Sequence, residues 1–114
     1  PTSLDFLHSF LALMPECVPS EVMSSVEERA RYQAELAVAE SSFIGCLPSE
    51  IAMAAIVNVI SEVPVHLFSF EEQREFLFRI ENCTGLKVND NLTKKVQSTL
   101  SLLLIGVSPL SVDQ

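Results

Sequence analysis

Residues 48–60 read Pro-Ser-Glu-Ile-Ala-Met-Ala-Ala-Ile-Val-Asn-Val-Ile, and this stretch decides the fold. Proline in a first turn sacrifices no hydrogen bond, and Glu50 suits the positive end of a helix dipole. From Ile51 to Ile60 only Asn58 is polar, and a helix that is apolar all round must be surrounded by protein. The β-branched residues would allow a strand, but the alanines and the length favour a helix. We therefore predict a central core helix here.

The composition predicts one folded domain. The chain has 114 residues, of which 48% are hydrophobic and 19% charged, and its central apolar run is about half the roughly 20 residues that a bilayer demands. Seven basic against fifteen acidic residues give a formal charge of -8. Such a surface repels nucleic-acid phosphates and anionic membranes, so we expect no nucleic-acid or membrane partner.

Capping signals, prolines and glycines predict an all-α fold of five helices. The first runs from Ser3 to Met14 behind a Thr2–Asp5 capping signal. The second starts near Ser25, where Ser24-x-x-Glu27 and Ser25-x-x-Glu28 both resemble capping boxes, and ends near Gly45. The others begin at Pro48 or Ser49, after Ser69, and at Asn89 or Asp90, and they end near Ile60, Gly85 and Leu104.

Side-chain patterns complete the predicted arrangement. In the fourth helix we expect an inward face and an outward i,i+4 ladder of charges, and in the fifth an apolar face opposite two lysines. The inward residues of the fourth are Phe70, Phe76, Leu77 and Ile80, and those of the fifth are Leu92, Val96, Leu100 and Leu103. The domain is predicted over residues 1–106, with residues 107–114 as a C-terminal tail. Because the chain opens with Pro1 and not methionine, we expect it to be part of a longer protein.

The sequence contains no strong motif for catalysis. The strongest candidate pairs Cys46 as a thiolate with His8 or His66 as base, but a buried, inert thiol is the commoner state of such a cysteine. Asp5 and His8 could form a surface pair on the first helix. Clustered metal ligands and phosphate-binding glycine loops are missing from the sequence, so we expect no enzyme activity, no metal and no cofactor. The three scattered cysteines suggest a reducing, intracellular compartment.

One segment resembles a known family. Phe43-Ile44-Gly45-Cys46-Leu47-Pro48-Ser49-Glu50-Ile51-Ala52, followed by Ala54-Ala55, is similar to the second box of cyclins, in which an Ala/Leu/Glu-rich helix leads into Pro-Ser-x-Ile-Ala-x-Ala-Ala. The opening Pro1-Thr2-x-x-Asp5-Phe6-Leu7 resembles the start of the C-terminal cyclin box, and Thr84-Gly85-Leu86 fits as well. Lys87-Val88-Asn89 departs from it, because acidic residues are more usual there. Residues 48–52 resemble D-type cyclins in particular.

The resemblance implies a five-helix cyclin fold and a regulatory function. A cyclin binds and activates a cyclin-dependent kinase in cell-cycle control, in the nucleus or cytoplasm, and the chemistry belongs to the kinase. In that family the main kinase contact lies on the first box, so the implied partners are the kinase, reached through the parent protein, and an intramolecular N-terminal box. Alternatives are a cyclin-like box of a transcription factor or pocket-type scaffold, an unrelated helical bundle that binds a peptide, and a small thiol enzyme.

A protein-contact face is predicted after the third helix. Val63, Val65, Leu67 and Phe68 exceed the apolar side chains that five helices need to bury, and a surplus of this kind marks interaction surfaces. Packing of the loop onto its own core is the alternative explanation.

Overall fold

The computed structural model describes residues 2–40, 45–87 and 91–104, without the side chains of Asn91 and Leu92. Its elements are α1 (Ser3–Leu11), α2 (Ser20–Ala39), α3 (Pro48–Ile60), α4 (Phe70–Thr84) and α5 (Asn91–Leu104). Across these three ranges every regular element is a helix, as the all-α prediction requires. Helix α2 ends at Ala39, six residues before the predicted end near Gly45, because Glu40 already has an extended backbone at φ -104° and ψ 121°. The start predicted for α5 at Asn89 or Asp90 and the tail predicted at residues 107–114 lie outside the described residues.

The predicted core helix, α3, lies at the centre and packs against α1, α2 and α5. Residues 52–56 form a run of five consecutive side chains with no solvent exposure, which only a helix enclosed on every side can have. Helix α2, which packs against α3, buries the small side chains of Ala30, Ala34 and Ala37, and side chains of this size allow helices to approach closely. The apolar run at residues 51–60 therefore does form the axis of the core.

Helix ends follow the predicted capping chemistry at α1 and α4. Thr2 and Asp5 form a reciprocal capping box, with the Thr2 N–H donating to Asp5 Oδ2 at 2.9 Å and the Asp5 N–H to Thr2 Oγ1 at 3.2 Å. Ser69 and Glu72 make the same pair of bonds at 3.0 and 3.2 Å. Gly85 then ends α4 in the left-handed conformation at φ 77°, a region that favours glycine.

The prediction for the start of α2 was wrong by five residues. The helix begins at Ser20, directly after Pro19, and neither Ser24 nor Ser25 caps it. Val22 and Val26 lie one turn apart and are both buried, so starting the helix earlier extends its apolar stripe by a turn. Burial of Val22 outweighs the capping bonds that the two serines could have supplied.

Two further predictions differ from the structure: the residue at which α1 ends, and the direction in which Phe70 of α4 faces. Helix α1 ends at Leu11, because the chain tightens there into i→i+3 hydrogen bonds, Leu13 N–H to Phe10 O and Met14 N–H to Leu11 O. Phe70 was expected inward but is 68% exposed. Phe76 and Ile80 define the buried face of α4, and six residues at 100° each put Phe70 about 120° away from Phe76.

A polar bridge joins three helices within this apolar packing. Asn58 Nδ2 on α3 donates to Gln33 Oε1 on α2 at 3.3 Å and to the Gln97 carbonyl oxygen on α5 at 3.2 Å. The Gln97 side chain donates back to Asn58 Oδ1 at 3.4 Å. Because helices can slide along apolar faces, these directional bonds fix the relative register of α2, α3 and α5.

Candidate functional site

The segment between α3 and α4 is a tightly hydrogen-bonded turn. Val63 N–H donates to the Ile60 carbonyl at 3.2 Å, and the Leu67 and Phe68 N–H groups both donate to the Pro64 carbonyl, at 2.9 and 3.2 Å. These bonds satisfy much of the hydrogen-bonding capacity of the backbone in a segment that is neither helix nor strand. The apolar side chains of this turn are therefore held in defined positions.

The four predicted contact residues divide between surface and core. Val65 is 50% exposed and Leu67 38% exposed, while Val63 is half-buried against the core. Phe68 has no exposure at all, and its ring centroid lies 6.3 Å from that of Phe76. Phe68 therefore cannot belong to an accessible surface: its large ring fills core space beneath α4, as the alternative of loop packing required.

Two of the four predicted residues, Val63 and Leu67, line a groove that we call the loop groove. It has a volume of about 400 Å³ and lies between the start of α2 and the α3–α4 turn. Its apolar lining is provided by Pro19, Val22, Val63, Pro64 and Leu67. Val65 is not among its lining residues.

A second groove, the α2 groove, adjoins the first. It has a volume of about 700 Å³ and is lined by Tyr32 and Leu104 together with charged and amide side chains of α2. Arg29 and Glu62 line both grooves and form an ion pair with each other, and each side chain is about half-exposed. A surface ion pair thus separates two neighbouring hollows on the same side of the domain.

Sequence reasoning missed an exposed aromatic face on α4. Phe70 and Phe78 are both more than half exposed, and Phe78 lines a small hollow with Arg74 and Glu75. The signal was present in the sequence: once Phe76 and Ile80 are taken as the buried pair, helical geometry turns both phenylalanines outward.

In the part of the chain that the structure describes, neither His8 nor His66 is hydrogen-bonded to the Cys46 thiol. Burial raises the pKa of the Cys46 thiol, and the Glu50 carboxylate raises it further, so the thiolate is disfavoured. The His8 imidazole lies 3.7 Å from Glu27 Oε1, whereas Asp5, its expected partner, is engaged in the capping box. The nucleophile required by a thiol enzyme is thus less reactive than a free cysteine.

Cys17 has a different environment. Its thiol donates a hydrogen bond to Glu72 Oε2 at 2.6 Å, joining the α1–α2 loop to the start of α4. That bond raises the pKa of Cys17 and lowers the pKa of Glu72. Arg79, in the second half of α4, makes another link to the α1–α2 loop, from Nη1 to the Leu13 carbonyl oxygen at 3.1 Å.

The described residues offer no metal-binding cluster and no membrane-spanning helix. In residues 2–40, 45–87 and 91–104, no group of three or more His, Cys, Asp or Glu side chains is arranged to hold a metal ion. Within the same part of the chain, none of the helices has the length and apolar character needed to cross a membrane.

Comparison with known proteins places this architecture in a family. The family model for the C-terminal domain of cyclins matches residues 1–105, which is nearly the whole chain. Neither curated proteins nor solved structures gave a match. The matched family is regulatory and non-catalytic, and its five-helix fold around a central helix agrees with the arrangement of α1 to α5. The chain belongs to the cyclin family, as a cyclin C-terminal domain.

Proposed function

We propose that this chain is the second box of a D-type-like cyclin that binds and activates a cyclin-dependent kinase in cell-cycle control, and that it has no catalytic activity of its own. The observation that carries the proposal is the family match over residues 1–105, on a fold whose central helix is the apolar stretch from Pro48. The assignment to D-type cyclins depends on the similarity of residues 48–52. The box extends over residues 1–106, and residues 107–114 are its tail.

The partners in this proposal are the kinase and an N-terminal box of the same parent protein. The second box serves as a rigid body that packs against the first, and the parent acts inside the cell, in the nucleus or cytoplasm. The net charge of -8 supports a protein partner over a nucleic acid, as it also disfavours a DNA-gripping transcription-factor box.

Within the domain, the proposed contact residues are Val63, Val65 and Leu67. The buried Phe68 anchors the turn that carries them in the core. Val65 and Leu67 keep apolar surface in water although the turn that carries them is well hydrogen-bonded. Apolar surface on an ordered turn can be buried by a partner with little loss of conformational entropy.

A pull-down from cell extract with tagged protein tests the kinase assignment. We expect the parent chain, with its upstream region, to recover a cyclin-dependent kinase and to stimulate phosphate transfer, and the 114-residue chain alone to recover much less. If neither bait recovers a kinase, the cyclin-type partner assignment is wrong.

A matched pair of substitutions tests the contact residues in the parent chain. Val65→Glu should weaken the association with kinase or first box, because it places a charge on a surface that a partner buries. Val38→Glu is the control, since Val38 is a still more exposed valine and lies on α2 instead of the α3–α4 turn. Equal recovery of partners by the two variants would contradict the contact assignment.

A further inference from the structure

The outer face of α2 carries a regular line of side chains. Glu21, Ser25, Glu28, Tyr32 and Glu35 follow one another at alternating spacings of four and three residues, so they lie along one side of the helix. All five line one or other of the two grooves. With a rise of 1.5 Å per residue, the line is about 21 Å long. This spacing is the one at which a second helix meets a helix along its length.

Apolar surface is concentrated at the two ends of this line. At one end Val22, Val63 and Leu67 line the loop groove, and at the other Tyr32 and Leu104 line the α2 groove. Val22 and Tyr32 are ten residues apart, or about 15 Å along α2. A partner helix that contacts the apolar surface in both grooves therefore needs two apolar side chains separated by about three helical turns.

The charge along this face of α2 determines which charged residues a partner helix must carry. The two arginines at the grooves already have partners, which are Glu62 for Arg29 and Glu27 for Arg31. Glu21, Glu28 and Glu35 have no ion pair among the described residues, and they recur every seventh position, about 10.5 Å apart. The charge left uncompensated along this face is negative, so a complementary surface is basic.

We propose that the loop groove and the α2 groove together dock an amphipathic helix of a partner protein that carries basic residues at seven-residue spacing and apolar anchors beside them. The inference rests on the proposed protein-binding function and adds the chemistry of a partner. The Arg29–Glu62 ion pair lies between the grooves and is exposed enough to rearrange as the helix docks, because surface pairs contribute little stability.

Fluorescence anisotropy with a designed probe tests the proposal. The probe is a labelled, alanine-based helical peptide with three lysines at seven-residue spacing and two leucines about eleven residues apart, which is roughly three helical turns. Comparison probes replace each lysine by glutamate, or scramble the order. We expect the lysine probe to bind at least about tenfold more tightly than either, with affinity that falls as salt rises.

Two pairs of variants locate the binding. Glu28→Lys with Glu35→Lys should weaken binding of the lysine probe by about tenfold, whereas Glu16→Lys with Glu71→Lys, which makes the same change in net charge elsewhere, should leave it within about twofold. Tyr32→Ala should weaken binding several-fold, and Val38→Ala, an exposed position on the same helix, should not. Circular dichroism checks that each variant is folded.

The outcomes are distinct. Equal affinity for the lysine and scrambled probes, or equal losses in the two charge variants, would mean attraction to net charge only and would overturn the proposal. Kinase recovery by the parent chain is a separate measurement, so failure of this docking surface and failure of the proposed kinase partnership can be told apart.

Discussion

Asn58 offers the sharpest test of how this domain holds its helices in register. Its side chain donates to Gln33 Oε1 and to the Gln97 carbonyl oxygen, and Gln33 is only 2% exposed. In Asn58→Ala three bonds are lost, the two that Asn58 donates and the one that it accepts from the Gln97 side chain, each worth about 0.5–1.5 kcal/mol. The Gln33 acceptor left without a donor adds about 1–3 kcal/mol if water cannot reach it. Since Asn58 is half-buried and water can replace some of these contacts, we expect a net loss of about 2–3 kcal/mol.

Urea unfolding followed by circular dichroism measures this loss. With a slope of about 1–3 kcal/mol per molar urea, the midpoint should fall by roughly 0.7–3 M. Asn82→Ala is the matched control, because Asn82 is an exposed asparagine on α4, and its effect should stay within about 0.5 kcal/mol.

A double-mutant cycle gives the result that would refute the reasoning. If Asn58 is costly to remove because it strands Gln33, then Gln33→Leu combined with Asn58→Leu should cost less than the sum of the single changes, by at least about 0.5 kcal/mol. Strict additivity, or a loss below about 0.5 kcal/mol for Asn58→Ala, would show that the bridge does not constrain the three helices.

Three further predictions follow from single residues. Phe68→Ala should lower the free energy of unfolding by about 3–5 kcal/mol, while Phe70→Ala should change it by less than about 0.5 kcal/mol, as thermal unfolding can show. Gly85→Ala should cost about 1 kcal/mol in the same assay, because the backbone there has φ 77° although no atom would crowd the new methyl group. Glu72→Gln should lower the pKa of Cys17 and speed its alkylation at pH 8 relative to the other cysteines, since glutamine still completes the capping box but carries no charge; unchanged labelling would contradict the role given to Glu72.

The helices could be predicted from the sequence because local signals and burial agree over most of the chain. The capping boxes at Thr2 and Ser69 depend only on residues three positions apart, and the apolar run from Ile51 has the length and the alanines that favour an enclosed helix over a strand. The predicted start of α2 was wrong because the local signals and burial disagree there. There the local signal of Ser24 and Ser25 competes with burial of Val22, which depends on residues distant in the sequence.

The candidate site was less predictable, because it is made of residues brought together by the fold. Val63 and Leu67 could be suspected from apolar surplus alone, yet their groove also needs Pro19 and Val22 from the start of α2. The sequence pattern of α2 contains the regular line from Glu21 to Glu35, but nothing in it indicates which side of the helix remains uncovered. Packing of α2 against α3 and α5 decides that.

Phe68 links the core to the proposed contact surface. It lies one residue after the half-exposed Leu67 and one before the capping residue Ser69, so the buried ring and the capping box together fix the end of the α3–α4 turn. The Gln73 side chain strengthens this point by donating to the Phe68 carbonyl oxygen at 3.0 Å. Because a turn anchored in this way loses little freedom on binding, its exposed residues can offer apolar surface at low entropic cost. The buried Phe68 ring thus determines the position of Val65 and Leu67 in the proposed contact surface.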